Sequence, residues 1–276
     1  MQEKNTRKGL GSIIQIVIIL ALCVVTISLD FFKIEYSTNA LHNKYISKII
    51  QQGVGVIAIV LLLRRMNIKL FGFPQKWLCL IPALIIAVDN FQWSAYLSGK
   101  MELVNTQPID FILFGAYCLA VGTFEECIFR GVIFTVLAGQ FSKDKDGLWK
   151  TFIVSSLIFG AAHLLNGISF LTILQVGYSF LTGGLFAFVL LKTKNIFCCG
   201  FIHALYNFCG LLFETADRMG LGNGAILDFG TMCTMFIVCA LVGLFVLSSV
   251  NNYSSEEQTE LYGKLGISMK KKEKSH

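Results

Sequence analysis

The 276 residues are 55% hydrophobic with a mean hydropathy of +0.67, and only 14% carry charge. So few charges cannot coat a water-soluble globule of this length, and the composition fits a lipid solvent instead. The formal charge of +6 is scattered over short loops and the C-terminal end, which speaks for membrane orientation and against a nucleic-acid partner.

Crossing a hydrocarbon core of about 30 Å takes about 20 apolar helical residues. Eight stretches qualify in chain order: 11–30, 46–63, 76–92, 109–139, 150–166, 168–190, 196–213 and 227–250. The first is too long for the apolar core of a signal peptide, and TISLDFF holds no small-residue cleavage site, so it is expected to stay as an anchor. Trp77, Trp93, Tyr96 and Trp149 fall near span ends, as interfacial aromatics do. Gly177, Gly183 and Gly184 of the sixth stretch would let a neighbouring helix come close. With the N-terminus cytoplasmic, seventeen Lys and Arg fall inside, five outside, and Arg130 within a span. The expectation is an all-α polytopic bundle of about eight spans in the cell membrane, both termini cytoplasmic. It forms one domain, with a catalytic core over about 109–215 and a short basic tail over about 251–276. The nine Cys lie in or beside apolar runs without CxxC spacing and read as small buried residues rather than a disulfide framework.

Ionisable groups inside a span are costly and need a partner, a wet cavity or a function. Asp30, Asp89, Asp110, Glu214, Asp217 and Asp228 escape that argument at span ends; Glu125, Glu126 and Arg130 sit mid-stretch. On a helix, residues four apart share a face and adjacent residues do not. Glu126 can therefore pair with Arg130 as structural support, which leaves Glu125 without a local partner. A carboxylate kept from water is the kind of group that serves as a general base. Two of the four histidines also lie in spans: His163 in FGAAH and His203 in HALYN, with Asn207 one turn after His203. At about 1.5 Å per residue, Glu125, His163, His203 and Asn207 fall about 11–21 Å from the inner ends of their spans. All four can reach one cavity.

A carboxylate and an imidazole can take the proton of an attacking water, while a second imidazole and an amide stabilise the oxyanion. Zinc held by two His and a Glu is the rival chemistry, but no HExxH spacing is present and Arg130 would repel a cation. No cofactor is expected.

EECIFR at 125–130, FGAAH at 159–163 and HALYN at 203–207 resemble, in order, the EExxxR, FxxxH and HxxxN motifs of the CPBP family. These are CAAX-protease and bacteriocin-processing (Abi-type) membrane proteins that include the eukaryotic Ras-converting endopeptidase. The resemblance implies that Glu125 with His163 activates water. It also implies that His203 and Asn207 stabilise the oxyanion, and that Glu126 and Arg130 support them without a metal. It implies cleavage of a peptide or small membrane-associated protein, with peptide-pheromone maturation or bacteriocin self-immunity as settings. Two other readings compete: a non-catalytic immunity or scaffold protein, and a proton-coupled transporter, for which broken helices and inverted repeats would speak.

Overall fold

The computed structural model describes residues 35–100, 107–168, 170–218 and 229–267. The expected first span and Lys270 to Lys274 lie outside the described residues. All regular structure among the described residues is helical, and six helices are long and apolar enough to cross a membrane. They are Ala40–Arg65, Pro108–Phe141, Gly147–Leu165, Gln175–Thr193, Ile196–Phe213 and Met232–Asn251.

α1 (Ala40–Arg65) starts where Asn39 Oδ1 accepts the amides of Leu41 (2.9 Å) and His42 (3.3 Å), a cap worth about 1 kcal/mol. α4 (Pro108–Glu126) starts with Pro at its first position, and Asp110 Oδ2 accepts the Gln107 amide at 2.8 Å. The other oxygen of Asp110 meets His42 Nε2 at 2.7 Å, so the starts of α1 and α4 are tied together. Farther along, Gly55 faces Phe124 and Gly131 faces Leu63. The two helices therefore run parallel, in step from one end of the bundle to the other.

Between them, the third expected span is not one long helix. A 3-10 turn (Trp77–Leu80) leads into α2 (Ile81–Asp89), too short to cross alone, and the chain bends through Asn90 to Gln92 before α3 (Trp93–Leu97). Pro82 stands in the first turn of α2, and at the bend Asn90 Nδ2 leaves its own helix to donate to the Tyr206 carbonyl at 2.8 Å. The broken segment still joins the two ends. Lys76 pairs with Glu257 at one of them, and Phe91 and Tyr96 pack on Phe213 at the other, at 5.3 and 6.0 Å.

α4 runs without a gap through a π-helical turn (Cys127–Ile133) into α5 (Phe134–Phe141). There follow α6 (Gly147–Ala162), a 3-10 turn (His163–Asn166), α7 (Phe170–Thr193), α8 (Ile196–Arg218) and α9 (Phe229–Asn251). Two antiparallel glycine seams hold the centre. A Cβ on Gly122 would lie 2.8 Å from Ala204 N, and one on Gly200 would lie 2.8 Å from Thr123 Cα, so α4 and α8 touch backbone to backbone. Gly160 and Gly183 do the same for α6 and α7, with Val176 O at 2.8 Å and Ser156 O at 3.2 Å. Gly177, expected to serve such an approach, has open space around it. α9 is the opposite case: only 11% of its spanning window is buried, so it turns most of its apolar surface outward, toward lipid.

The stretch read as a tail begins with structure. α10 (Ser255–Lys264) opens on a capping box, Glu257 N to Ser254 Oγ and Ser254 N to Glu257 Oε2, both 3.1 Å. Leu261, Tyr262 and Leu265 bury themselves in the main core. Its polar face takes Lys76 onto Glu257 and Lys194 onto Glu260.

Candidate active site

The π turn coincides with the EECIFR motif: α4 ends at Glu126 and the widened turn covers Cys127 to Ile133. Such turns recur at functional sites because they re-aim side chains that a regular helix would hold elsewhere. All seven residues of this one are buried. Arg130 projects from it with no exposed side-chain surface, and its Nε lies 3.0 Å from Glu126 Oε2. The contact is an ion pair by distance without an aligned hydrogen bond, and among the described residues neither Nε nor Nη1 has a hydrogen-bond partner. Nη2 is better served, donating to the Gly183 carbonyl at 2.6 Å. The Gly160 and Gly183 seam, by bringing α7 so near α6, delivers that carbonyl. Phe159 and Phe186 enclose the guanidinium, their ring centroids 4.7 and 5.5 Å from Cζ, so its buried charge is balanced by the carboxylate and by two ring faces.

Glu126 does more than pair with Arg130. Its Oε1 accepts from His203 Nδ1 at 2.9 Å, across the glycine seam that sets α4 against α8. The imidazole is stacked on Phe186 (4.6 Å, 18°) and meets Phe159 edge-on at 5.7 Å. With Nδ1–H donated to Glu126, only Nε2 is left for other work, and it stands 3.8 Å from Glu125 Oε2. Glu126 is wholly buried, whereas the Glu125 side chain keeps 20% of its surface exposed. One glutamate is fully committed to an arginine and a histidine; its neighbour touches the same histidine and stays reachable.

His163 ends α6, and its Nδ1 lies 3.0 Å from the Phe159 carbonyl one turn back. A neutral ring that donates Nδ1–H there keeps Nε2 as an acceptor. Its ring packs edge-on against Phe159 at 5.3 Å, so the two histidines share that phenyl ring, and His163 makes no ion pair with a glutamate among the described residues. Asn207 lies one turn past His203 on α8, half-buried, with no polar partner among the described residues. Of the six residues singled out in the sequence, Glu125, Glu126, Arg130 and His203 form one contact network. His163 joins it through Phe159, and Asn207 stands beside it.

Sequence reasoning did not find the Glu126–His203 bond, the Gly183 carbonyl or the Phe186 wall. Phe159 was within reach as the first residue of the FGAAH motif. Nothing in one dimension couples Glu126 to His203. Among the described residues no three His, Cys, Asp or Glu side chains are grouped to hold a metal ion, and Glu126, the inner carboxylate, is already divided between Arg130 and His203. Eight of the nine cysteines lie among the described residues, all as free thiols.

Residues 107–209 match the family model described as type II CAAX prenyl endopeptidase Rce1-like. That range takes in all three motifs and the whole contact network. No curated protein and no solved structure matches the chain.

Proposed function

On the premise that residues 107–209 match the Rce1-like family model, we propose that this multi-pass membrane protein is an intramembrane endopeptidase that cuts peptide bonds with a glutamate-activated water. Glu125 takes a proton from water as the water oxygen bonds to the scissile carbonyl carbon. His163, an acceptor at Nε2, holds the same water. The charge that develops on the carbonyl oxygen is met by Nε2–H of a protonated His203 and by the Asn207 amide. Glu126 fixes the His203 ring from behind, and Arg130 fixes Glu126. When the C–N bond breaks, the proton held by Glu125 passes to the leaving amine.

The observation that carries this reading is the inequality of the two adjacent glutamates. Glu126 is consumed by Arg130 and His203, while Glu125, part-exposed and 3.8 Å from the imidazole, serves no packing need. An acid inside a span that is left part-exposed beside a histidine calls for a function, and a scaffold has no use for one. The family is described by its prenylated CAAX substrates. For this chain the proposed substrate is a peptide or small membrane-associated protein, in peptide-pheromone maturation or bacteriocin self-immunity. The test is cleavage of candidate peptides by protein in liposomes, with products identified by mass spectrometry. Glu125→Gln is expected to lower cleavage about 10²–10⁴-fold, the usual contribution of a general base. Cleavage retained by that variant would remove the assignment, and activity lost to a zinc chelator and restored by zinc would replace it with metal chemistry.

A further inference from the structure

At the end of the bundle where α10 docks, α1 finishes in Arg64 and Arg65, and the chain turns sharply at Asn67, whose φ is 62°. A cleft of about 290 Å³ lies against this turn, lined by Arg64, Asn67, Ile68, Lys69, Phe71 and Gly72. Tertiary contacts frame it. Lys69 N–H donates to the Lys264 carbonyl of α10 at 2.7 Å, Asn195 Nδ2 donates to the Gly72 carbonyl, and the Arg64 guanidinium lies 5.7 Å from the Phe71 ring centroid. The cleft is held by folded structure rather than by a loose loop.

Its charge is not neutralised by the protein. Arg64, Arg65 and Lys69 form no ion pair among the described residues, although α10 carries three carboxylates at the same end. Two of them are taken, Glu257 by Lys76 with Lys192 at 4.0 Å and Glu260 by Lys194 with Lys264 at 4.0 Å, and Glu256 pairs with none of the three cations among the described residues. The C-terminal dipole of α1 accounts for a liking for Arg64 and Arg65 in its last turn, but not for Lys69 or for a concavity between the cations. The other half of the pattern lies along α1. Val54, Ile57 and Leu61 are each about three-fifths exposed, and with Arg65 they follow one another at helical spacing on one face. An outward apolar stripe thus leads up to an unpaired cationic cleft where the span ends.

We propose that this cleft binds the anionic headgroup of a phospholipid, with Arg64 and Lys69 on the phosphate, Arg65 adding to the field, and the acyl chains along Val54, Ile57 and Leu61. Free phosphate offers the same oxygens but has no use for the stripe, so the lipid is the occupant the surface fits. Protein reconstituted in an equal mixture of phosphatidylglycerol and phosphatidylcholine, then extracted mildly, is analysed by native mass spectrometry for retained lipid. The wild type is expected to keep phosphatidylglycerol in preference, and Arg64→Gln/Lys69→Gln to cut that preference roughly thirtyfold, at about 1 kcal/mol per cation. Lys143→Gln/Lys145→Gln, exposed at the next loop of the same end, is expected to leave it unchanged. Both pairs are exposed, and unfolding temperatures close to the wild type establish that the fold is kept. Equal retention of the two lipids by the wild type, an equal loss in the Lys143/Lys145 variant, or displacement of the lipid by inorganic phosphate would each overturn the proposal.

Discussion

Two clusters of opposite charges hold this molecule, and they are built on opposite principles. Inside the bundle, Glu126, Arg130 and His203 have almost no exposed side-chain surface and are walled by Phe159 and Phe186. At the docking end, Lys76 is 52% and Glu260 45% exposed, in contact with Glu257 and Lys194. Charges taken from water cost several kcal/mol each, so the inner cluster survives only as a complete set, whereas each outer pair keeps one partner about half-exposed and is screened by solvent on that side. Only the inner cluster has one member to spare, Glu125, and it is the reachable one. Chemistry is expected where the cost is highest.

The sharpest way to break this contrast is Arg130→Leu. It leaves the buried Glu126 carboxylate with His203 as its single partner, and a loss of about 3–5 kcal/mol in stability is expected, with activity abolished. Thermal unfolding in a fixed detergent reads the first and peptide cleavage the second; a stable variant would mean that Arg130 is not the counter-charge. Glu125→Gln should give the reverse signature, activity lost by the factor stated above with the unfolding temperature within a degree or two of the wild type. If its unfolding temperature falls as far as that of Arg130→Leu, the two glutamates are structural equals and the contrast fails.

Gly200→Val tests whether the seam positions the site. A side chain there meets Thr123 Cα at 2.8 Å, and pushing α8 from α4 separates His203 from Glu126. A cost of about 1–3 kcal/mol is expected, together with loss of cleavage; Gly177→Ala, in open space, should do neither. The smallest effect is Glu260→Gln at the docking end, within about 1 kcal/mol because solvent screens the pair. Its hydrogen bonds from Lys194 and Gln75 hold the Glu260 carboxyl below its ordinary value of 4.5. A depressed carboxyl stabilises the fold above that ordinary value and loses the contribution as the pH falls through the folded one. The difference in unfolding temperature between wild type and Glu260→Gln should therefore be present at neutral pH and vanish in acid, once the pH has fallen through the lowered folded value. Persistence of the difference in acid would show that the ion pair is not its source.

Much of this was legible along the chain. The 109–139 stretch appears as Pro108–Phe141, 196–213 as the spanning part of α8, and 227–250 as α9, because a long apolar run admits one solution in lipid: a helix that satisfies its own backbone. The i, i+4 pairing of Glu126 with Arg130 was legible for the same local reason. The 76–92 stretch joins the two ends but not as one continuous helix. Its hydropathy is that of a crossing, but Pro82 and the bond from Asn90 to the Tyr206 carbonyl break it, and the second of these is a tertiary contact. His42, in the first turn of α1, joins Asp110 across 68 residues, a pairing that no local pattern shows. α10 was hidden by its polar composition, since its core contribution rests on Leu261, Tyr262 and Leu265 alone.

What the residue order decided by itself was the solvent, the long helices and which few ionisable groups lie within them, since each follows from hydropathy and period over a local window. It also separated Glu125 from Glu126, as neighbours on a helix cannot share a face. Which imidazole meets which carboxylate was decided only in three dimensions. That outcome depends on how near α4 and α8 approach at Gly122 and Gly200, and on a π turn that aims Arg130 at a carbonyl 53 residues away. Distances of that kind are set by packing between segments far apart in the chain, and no local pattern encodes them.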